Sequence, residues 1–380
     1  MDVLEAPRGL NNVVVTQTSI GDVRGEEGFY HYRQYSAIDL AKSCSFEDVW
    51  FLFVEGRLPD ADERERFLAE IAPLRELPEE VLPALRAVAL AGTKPNMLGG
   101  LRTILSLVGS ARGMAPVYGS PPEQRRADAL LVSAVTPTIL AALHRIRAGL
   151  DPLQPRSELS MAQNWLYLIS GEVPTPTHAR AIEQYLIATI DHGFNASTFT
   201  ARVVASTGAD VAAAVCAAIG AFSGPLHGGA PDRALDALDA IGTPDQAEQW
   251  VRDRVAAGER IMGFGHAVYR TDDPRSLMLR SIAQSIGGPL VDFATSAEQI
   301  VVDTLAELKP DRVLYANVEF YAGVVMELCG IPRSMFTPTF ACSRVVGWSA
   351  NILEQAQDSK MIRPIARYVG PAPSQPIEVR

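Results

Sequence analysis

Ser223-Gly224-Pro225-Leu226-His227-Gly228-Gly229-Ala230 holds a histidine between Gly-Pro and Gly-Gly. That backbone adopts positive φ readily and lets a ligand come close, which an ordinary helix position does not. The plain alternative is a tight interhelical turn whose imidazole faces water. A second histidine leaves a glycine turn in Gly263-Phe264-Gly265-His266-Ala267-Val268-Tyr269-Arg270, with Asp273-Pro274-Arg275 close behind. The GxxxxGK[ST] frame of a P-loop is absent, and the strand context of a dinucleotide GxGxxG is missing. Anion binding suits this stretch, because the planar forks of Arg270 and Arg275 match carboxylates and phosphates; the alternative is a solvated basic turn. In Asn317-Val318-Glu319-Phe320-Tyr321-Ala322-Gly323 an acid sits among apolar neighbours, at the expected start of a helix ending near Gly330. With Asn317 as N-cap, Glu319 falls in the first turn, where the helix dipole favours its ionised form by about 0.3–1 kcal/mol. Asp191-His192-Gly193-Phe194-Asn195-Ala196-Ser197-Thr198, Arg344 and Arg363 complete the candidates, and His192 reads equally as a C-cap. Singly none of these decides anything. Together they place histidines, an acid and several arginines at glycine-marked or helix-terminal positions, the composition of a site for a polyanionic substrate.

Such residues need elements to hold them, and the periodicity supplies helices. Thr243-Pro244-Asp245-Gln246 reads as a helix start before a stretch from Ala247 to Ile261. Ser296-Ala297-Glu298-Gln299 repeats the device, opening a helix with Val301, Leu305 and Leu308 at helical spacing and a stop at Lys309-Pro310. Further helical stretches run from Ala127 to Arg147 with a kink expected at Pro137, His178 to Asp191, Asp210 to Phe222 and Ser343 to Gln355. Strand signals are confined to Asn12 to Thr18 and Gly28 to Tyr32. The expected fold is mainly α with a small β element near the N-terminus. Ala115 to Pro122 and Pro152 to Arg156 read as surface loops, and composition marks no domain boundary.

The chain of 380 residues is long enough for a large core. Its 34 Lys+Arg against 44 Asp+Glu give a net charge of −10, which argues against nucleic acid or an anionic membrane surface as partner. Val211 to Phe222, among the longest apolar runs, is short of the roughly 18–20 residues a membrane span needs, so no transmembrane helix is expected. Met1 to Arg8 carries acidic residues where a secretory leader needs basic ones, which makes the cytoplasm the expected address. Cys44, Cys216, Cys329 and Cys342 form no CxxC and have no histidine at zinc-ligand spacing; all four read as reduced and mostly buried.

The set, in its order, resembles the citrate synthase family. Tyr32-Arg33, Asp191-His192 with Asn195 to Thr198, GPLHGGA, GFGHAVYR with DPR, NVEFYAG, Ser343 to Trp348 and Ile362-Arg363-Pro364 carry the resemblance over nearly the whole chain. It implies a nearly all-α homodimer with a large helical domain over residues 1–227 and 332–380, and a smaller domain over 228–331 that closes over the substrates. The reaction implied joins oxaloacetate to acetyl-CoA, as in the tricarboxylic acid cycle, and hydrolyses the thioester to citrate and CoA without a metal or a permanently bound cofactor. By the same resemblance His227 hydrogen-bonds the thioester carbonyl, His266 donates to the oxaloacetate carbonyl and Glu319 is the general base. His192, Arg275 and Arg344 hold carboxylates, Arg363 reaches the partner subunit's site, and Arg270 and Arg312 lie near the CoA phosphates. The segment before the first strand leaves no room for the regulatory domain of hexameric relatives, so a dimer is expected.

These roles fit elementary chemistry. A thioester α-proton is weakly acidic, so a carboxylate removes it only while the developing enolate oxygen is stabilised. Two carboxylates on the acceptor account for several arginines in an acidic chain. One residue departs from the family pattern NVDF: Glu319 stands where Asp is usual. The extra methylene moves the carboxylate by about 1.5 Å if extended. Three readings follow: a compensated citrate synthase, a 2-methylcitrate synthase using propionyl-CoA, or a weakly active or non-catalytic binding protein. An acyl-CoA hydrolase working without oxaloacetate is a further rival, but it has no use for the carboxylate-binding arginines.

Overall fold

The computed structural model describes residues 4–372, apart from 95, 229, 230, 267 and 313 and the side chains of 231–234. Three short strands, β1 (Gly21–Arg24), β2 (Phe29–Tyr32) and β3 (Tyr35–Ser36), form an antiparallel sheet in the order β1-β2-β3. Gly21 lies opposite Tyr32 in the first pair and His31 opposite Ser36 in the second. The strand expected from Gly28 to Tyr32 is β2. The one expected from Asn12 to Thr18 does not form: Val14 is 86% exposed, and β-branched residues without a neighbouring strand to pack on do not make one.

Everything else regular is helical. The first helices are α1 (Ala37–Ser43), α2 (Phe46–Glu55), α3 (Ala61–Ile71), α4 (Leu82–Ala89), α5 (Met97–Ala111) and α6 (Pro122–Arg147). Then come α7 (Met161–Ser170), α8 (Pro176–Ala188), α9 (Ala196–Ala205), α10 (Val211–Phe222) and α11 (Pro231–Ile241). The last are α12 (Ala247–Ala256), α13 (Pro274–Ile286), α14 (Pro289–Leu308), α15 (Val318–Leu328) and α16 (Phe336–Gln355). Local chemistry fixes many of their starts. Asn195, Asp210, Asp273 and Asn317 accept backbone N–H groups of the first turns of α9, α10, α13 and α15, satisfying donors that a helix leaves unpaired.

Two expected starts are displaced. Thr243 is followed by a single 3-10 turn and caps nothing with its side chain, and α12 ends at Ala256 rather than Ile261 because Gly258 turns the chain at φ 76°. Ser296 lies inside α14, which begins seven residues earlier at Pro289, after Gly287-Gly288; a proline in the first turn behind glycines outweighs a serine that merely could cap. Its end at Leu308 is as expected. Helix α6 begins at Pro122 and continues through Pro137 as one helix.

The core centres on α6 and α16. Almost every residue of α16 is buried, Arg344, Trp348 and Asn351 included. Ser133 of α6 and Ser349 of α16 share a buried hydroxyl hydrogen bond of 3.1 Å, and the Trp165 indole N–H donates to Thr339 at 3.1 Å. By length and composition α6 could cross a bilayer, which the sequence reading did not foresee, but 83% of its apolar window is enclosed by the rest of the protein. A second, smaller core of Ile241, Ala247, Val251, Ile261, Val301 and Leu305 joins α12 to α14.

Candidate active site

His227 sits in the turn after α10, closed by hydrogen bonds from its own N–H to the Gly224 carbonyl (3.0 Å) and from the Gly228 N–H to the Phe222 carbonyl (3.0 Å). Its Nε2 lies 2.8 Å from the Ser197 hydroxyl and 3.3 Å from the Ser197 backbone N–H at the start of α9. A backbone N–H can only donate, so Nε2 is the acceptor and the neutral ring carries its proton on Nδ1. The Trp348 indole N–H donates to the same hydroxyl at 3.1 Å, tying α16 to this turn. Burial, with Arg344 adding to it, lowers the imidazole pKa to about 4.

His266 has the opposite tautomer. The backbone N–H groups of Val268 (2.9 Å) and Tyr269 (3.1 Å) both donate to its Nδ1, leaving the proton on Nε2. That nitrogen faces an Arg275 guanidinium nitrogen at 3.3 Å. Donor thus meets donor, an arrangement that an oxygen lone pair placed between them relieves. Burial and Arg275 bring this imidazole to about 4 as well. Arg275, itself buried, is clamped by Asp273 through Nε (3.0 Å) and a terminal nitrogen (2.8 Å). Burial pushes the Asp273 carboxyl up, but Arg275 outweighs it and holds the pKa below the ordinary value. Asp273 also accepts the Val318 N–H at 3.1 Å, so one carboxylate joins the starts of α13 and α15.

His192, just beyond α8, completes this cluster. Its Nε2 is 2.9 Å from the Tyr269 hydroxyl, and its ring centre is 5.6 Å from that of His266. Burial, then Arg275, His266 and Arg344, depress its pKa strongly, so it is neutral. The Tyr30 ring of β2 packs edge-on against His192 at 5.4 Å and lies 5.9 Å from the Arg275 guanidinium.

Arg344 is buried on α16, its Nε donating to the Thr189 carbonyl at 3.0 Å and its guanidinium 4.7 Å from the Phe340 ring centre. Among the described residues no carboxylate forms an ion pair with it, and burial lowers its pKa against the pull of Asp191. A buried guanidinium without a paired anion is a site for one from outside. Phe340 in turn packs at 5.0 Å on Phe222, which lies 5.5 Å from His227. Glu319 is placed by Asn317, whose carboxamide oxygen accepts the Glu319 N–H at 3.0 Å and whose amide donates to the Gly265 carbonyl at 3.0 Å. The segment carrying it runs antiparallel to the His266 turn, with Gly265 N–H to the Tyr315 carbonyl at 2.8 Å and Asn317 N–H to the Gly263 carbonyl at 2.8 Å. Its charge reaches Tyr185, which Arg344 and Arg275 also influence.

Of the residues expected from sequence, His266 contacts both Arg275 and His192, Arg344 acts electrostatically on both His192 and His227, and Glu319 follows two residues after the Asn317 that holds the Gly265 carbonyl. Arg270, Arg312 and Arg363 are exposed and make no contact with this cluster among the described residues. Gly229, Ala230 and Ala267 of the two histidine motifs lie outside the described residues. Sequence reasoning missed Tyr30 and the roles of Asp273, Ser197 and Tyr269. The alternation Phe29-Tyr30-His31-Tyr32 could have signalled Tyr30, since it puts both tyrosines on one face.

A family model described as citrate synthase, C-terminal domain, matches residues 9–365. The chain is 36% identical over 379 residues to Citrate synthase 2 of Bacillus subtilis, covering 99% of this chain and 100% of that protein. It is 38% identical over 367 residues to a 2-methylcitrate synthase of Mycobacterium tuberculosis, covering 96% and 90%. Among solved structures, a ternary complex of carboxymethyl coenzyme A and oxaloacetate with citrate synthase from Thermoplasma acidophilum superposes with a TM-score of 0.90 at 27% identity, covering 99% of each chain.

Proposed function

The chain belongs to the citrate synthase family and is an enzyme of that acyl-transferring, condensing type, from which we propose that it joins acetyl-CoA to oxaloacetate and hydrolyses the product to citrate and CoA. The observation that carries this reading is the donor-to-donor contact of His266 and Arg275, with the buried Arg344 guanidinium on α16, which forms no ion pair with a carboxylate among the described residues. Hydrogen-bond donors and charge converge there as a dicarboxylate bearing a carbonyl needs them.

In this reading Glu319 takes a methyl proton from the thioester while the Nδ1–H of His227 stabilises the oxygen on which charge develops. The enol carbon then attacks the oxaloacetate ketone, polarised by the Nε2–H of His266, and the new carbon–carbon bond leaves an alkoxide that takes that proton. Water cleaves the thioester and releases CoA. Neutral imidazoles suit both steps, since each must offer a proton without holding a positive charge beside arginine. His192, Arg275 and Arg344 bind the carboxylates.

The separate core between α12 and α14 supports a smaller domain over 228–331 that closes on a larger one made of 1–227 and 332–380. The half-exposed Ala213, Cys216, Ala217, Gly220 and Ala221 along α10, and exposed Ile365, Tyr368 and Val369 in the tail, support a homodimer in which Arg363 enters the partner's site. Arg270 and Arg312 are exposed at the surface, where they could meet the CoA phosphates. The four free cysteines suit a reducing compartment, so the cytoplasm is the proposed location. The 2-methylcitrate reading stands beside this one, because identity to the M. tuberculosis enzyme is as high as to the citrate synthases.

Release of CoA thiol from acetyl-CoA and from propionyl-CoA, each with and without oxaloacetate, tests the proposal. Oxaloacetate-dependent release with a higher kcat/KM for acetyl-CoA is expected. A higher value for propionyl-CoA moves the assignment to 2-methylcitrate synthase, and release without oxaloacetate moves it to a hydrolase.

A further inference from the structure

The hairpin of β1 and β2 touches two of the three histidine loops of the proposed site, those of His192 and His266, and at two places the approach is so close that only glycine fits. The Gly25 carbonyl accepts the Arg270 N–H at 3.1 Å, and a methyl group on Gly25 would sit 2.3 Å from the Val268 carbonyl oxygen and 2.9 Å from its carbon. Gly28, at φ 60°, lies against Thr271, whose methyl would be 2.8 Å from an added Cβ, and against the Asp272 carbonyl. The segment so gripped supplies the Val268 and Tyr269 N–H groups that fix the proton of His266 on Nε2, and the Tyr269 hydroxyl that meets His192. On its other side the hairpin presses Val23 against Gly193, 3.2 Å from where a Cβ would be, directly after His192. From the same hairpin the Tyr30 hydroxyl donates to the Ala188 carbonyl at 2.9 Å and its ring packs on His192 and Arg275.

We propose that this hairpin is a positioning element of the reaction: Gly25 and Gly28 hold the 268–272 segment, and Val23 and Tyr30 hold the His192 turn, so that the hairpin sets His266 and His192 in register. It touches neither substrate nor reacting atoms in this scheme. Its effect runs through the backbone N–H groups on His266. The inference rests on the condensation reading for its kinetic consequence, but its structural consequence is independent of that reading.

Gly25→Ala tests it, with Glu26→Ala, an exposed residue of the same turn, as control. Two readouts are needed: kcat/KM for oxaloacetate, and the 15N resonances of the His266 ring, assigned with His266→Gln. Displacing the 268–270 backbone misplaces the Nε2–H donor, so Gly25→Ala is expected to lower kcat/KM on the order of 10- to 100-fold and to shift the His266 signals toward a tautomer mixture, while Glu26→Ala changes neither. His266 signals in Gly25→Ala that match those of Glu26→Ala overturn the proposal, whatever the kinetics. A wild-type protein inactive with every thioester overturns the condensation reading alone, because the resonances still report the coupling. Where Gly25→Ala does not fold, Val23→Ala takes its place: the expected result is a moved His192 resonance and a KM for oxaloacetate raised several-fold, and unchanged resonance and KM overturn the proposal.

Discussion

Burial, which leaves little water to solvate a protonated ring, and next to it Arg344 or Arg275, which a protonated ring would face as a second cation, bring the pKa of His227 and His266 down to about 4. In the unfolded chain they titrate near 6.5. Between those values the unfolded state binds protons that the native state refuses, so stability falls as the pH is lowered through that window. His192 shifts the same way. Asp191 opposes them: burial, only partly offset by Arg344, raises its carboxyl from 3.8 to about 6, so on acidification the native state takes up that proton first and is favoured. Within the site three imidazoles against one carboxyl leave a net loss; elsewhere His144 shifts like those imidazoles, while Glu47, Asp128 and Glu298, raised by burial, shift like Asp191. The Tm of His227→Gln with His266→Gln is therefore expected to respond less unfavourably than that of the wild type to a drop from pH 7 to 4.5; equal slopes would refute the assignment. Glu319→Gln keeps the shape and removes the proposed base, so condensation should drop on the order of 10²- to 10⁴-fold while oxaloacetate binding, measured calorimetrically, stays within about twofold because Arg275 and Arg344, its proposed ligands, are untouched.

At the scale of elements, the caps do more than start helices. Asp273 caps α13, clamps Arg275 and accepts the Val318 N–H of α15, so the helix bearing Arg275 and the helix bearing Glu319 share one anion. Asp273→Asn should destabilise the protein by about 3–5 kcal/mol, since it leaves Arg275 as a buried uncompensated charge, and should raise the KM for oxaloacetate; denaturant unfolding and steady-state kinetics check the two halves. The Asn317 cap was legible, because Asn317 with Glu319 is a local pattern; Asp273 before Pro274 offers a similar local pattern but was not read as a cap. The reach of Asp273 to Val318 was not legible, since nothing in a local pattern tells which distant N–H a buried carboxylate will meet. Gly347 makes the same point. It lies within the readable Ser343 to Trp348 motif, yet its reason is the Ile190 carbonyl oxygen, which an added methyl would approach to 2.1 Å. Asn12 to Thr18 and Ser296 were misread because each met a local rule, while the lack of a partner strand and the stronger start at Pro289 lay outside the window considered.

For the whole molecule, two copies are proposed to share each site, and subunit mixing addresses this directly. Arg363→Ala and Glu319→Gln should each be nearly inactive alone. In a mixed dimer one site then combines an intact Glu319 from one subunit with an intact Arg363 from the other. Random reassociation of equal amounts should restore about a quarter of wild-type activity, half the dimers being mixed with one good site in two; no recovery would confine Arg363 to its own subunit. The pairing of α6 with α16 has a bearing on synthesis as well. Ser133 and Ser349, which meet across that contact, are 216 residues apart in the chain. At ribosomal rates of about 5–20 residues per second, α6 waits about 10–40 s for the helix that covers it. During that interval a segment apolar enough to be mistaken for a membrane span is without its final cover, and the growing chain depends on α5, α7 or a chaperone to shield it until α16 has emerged.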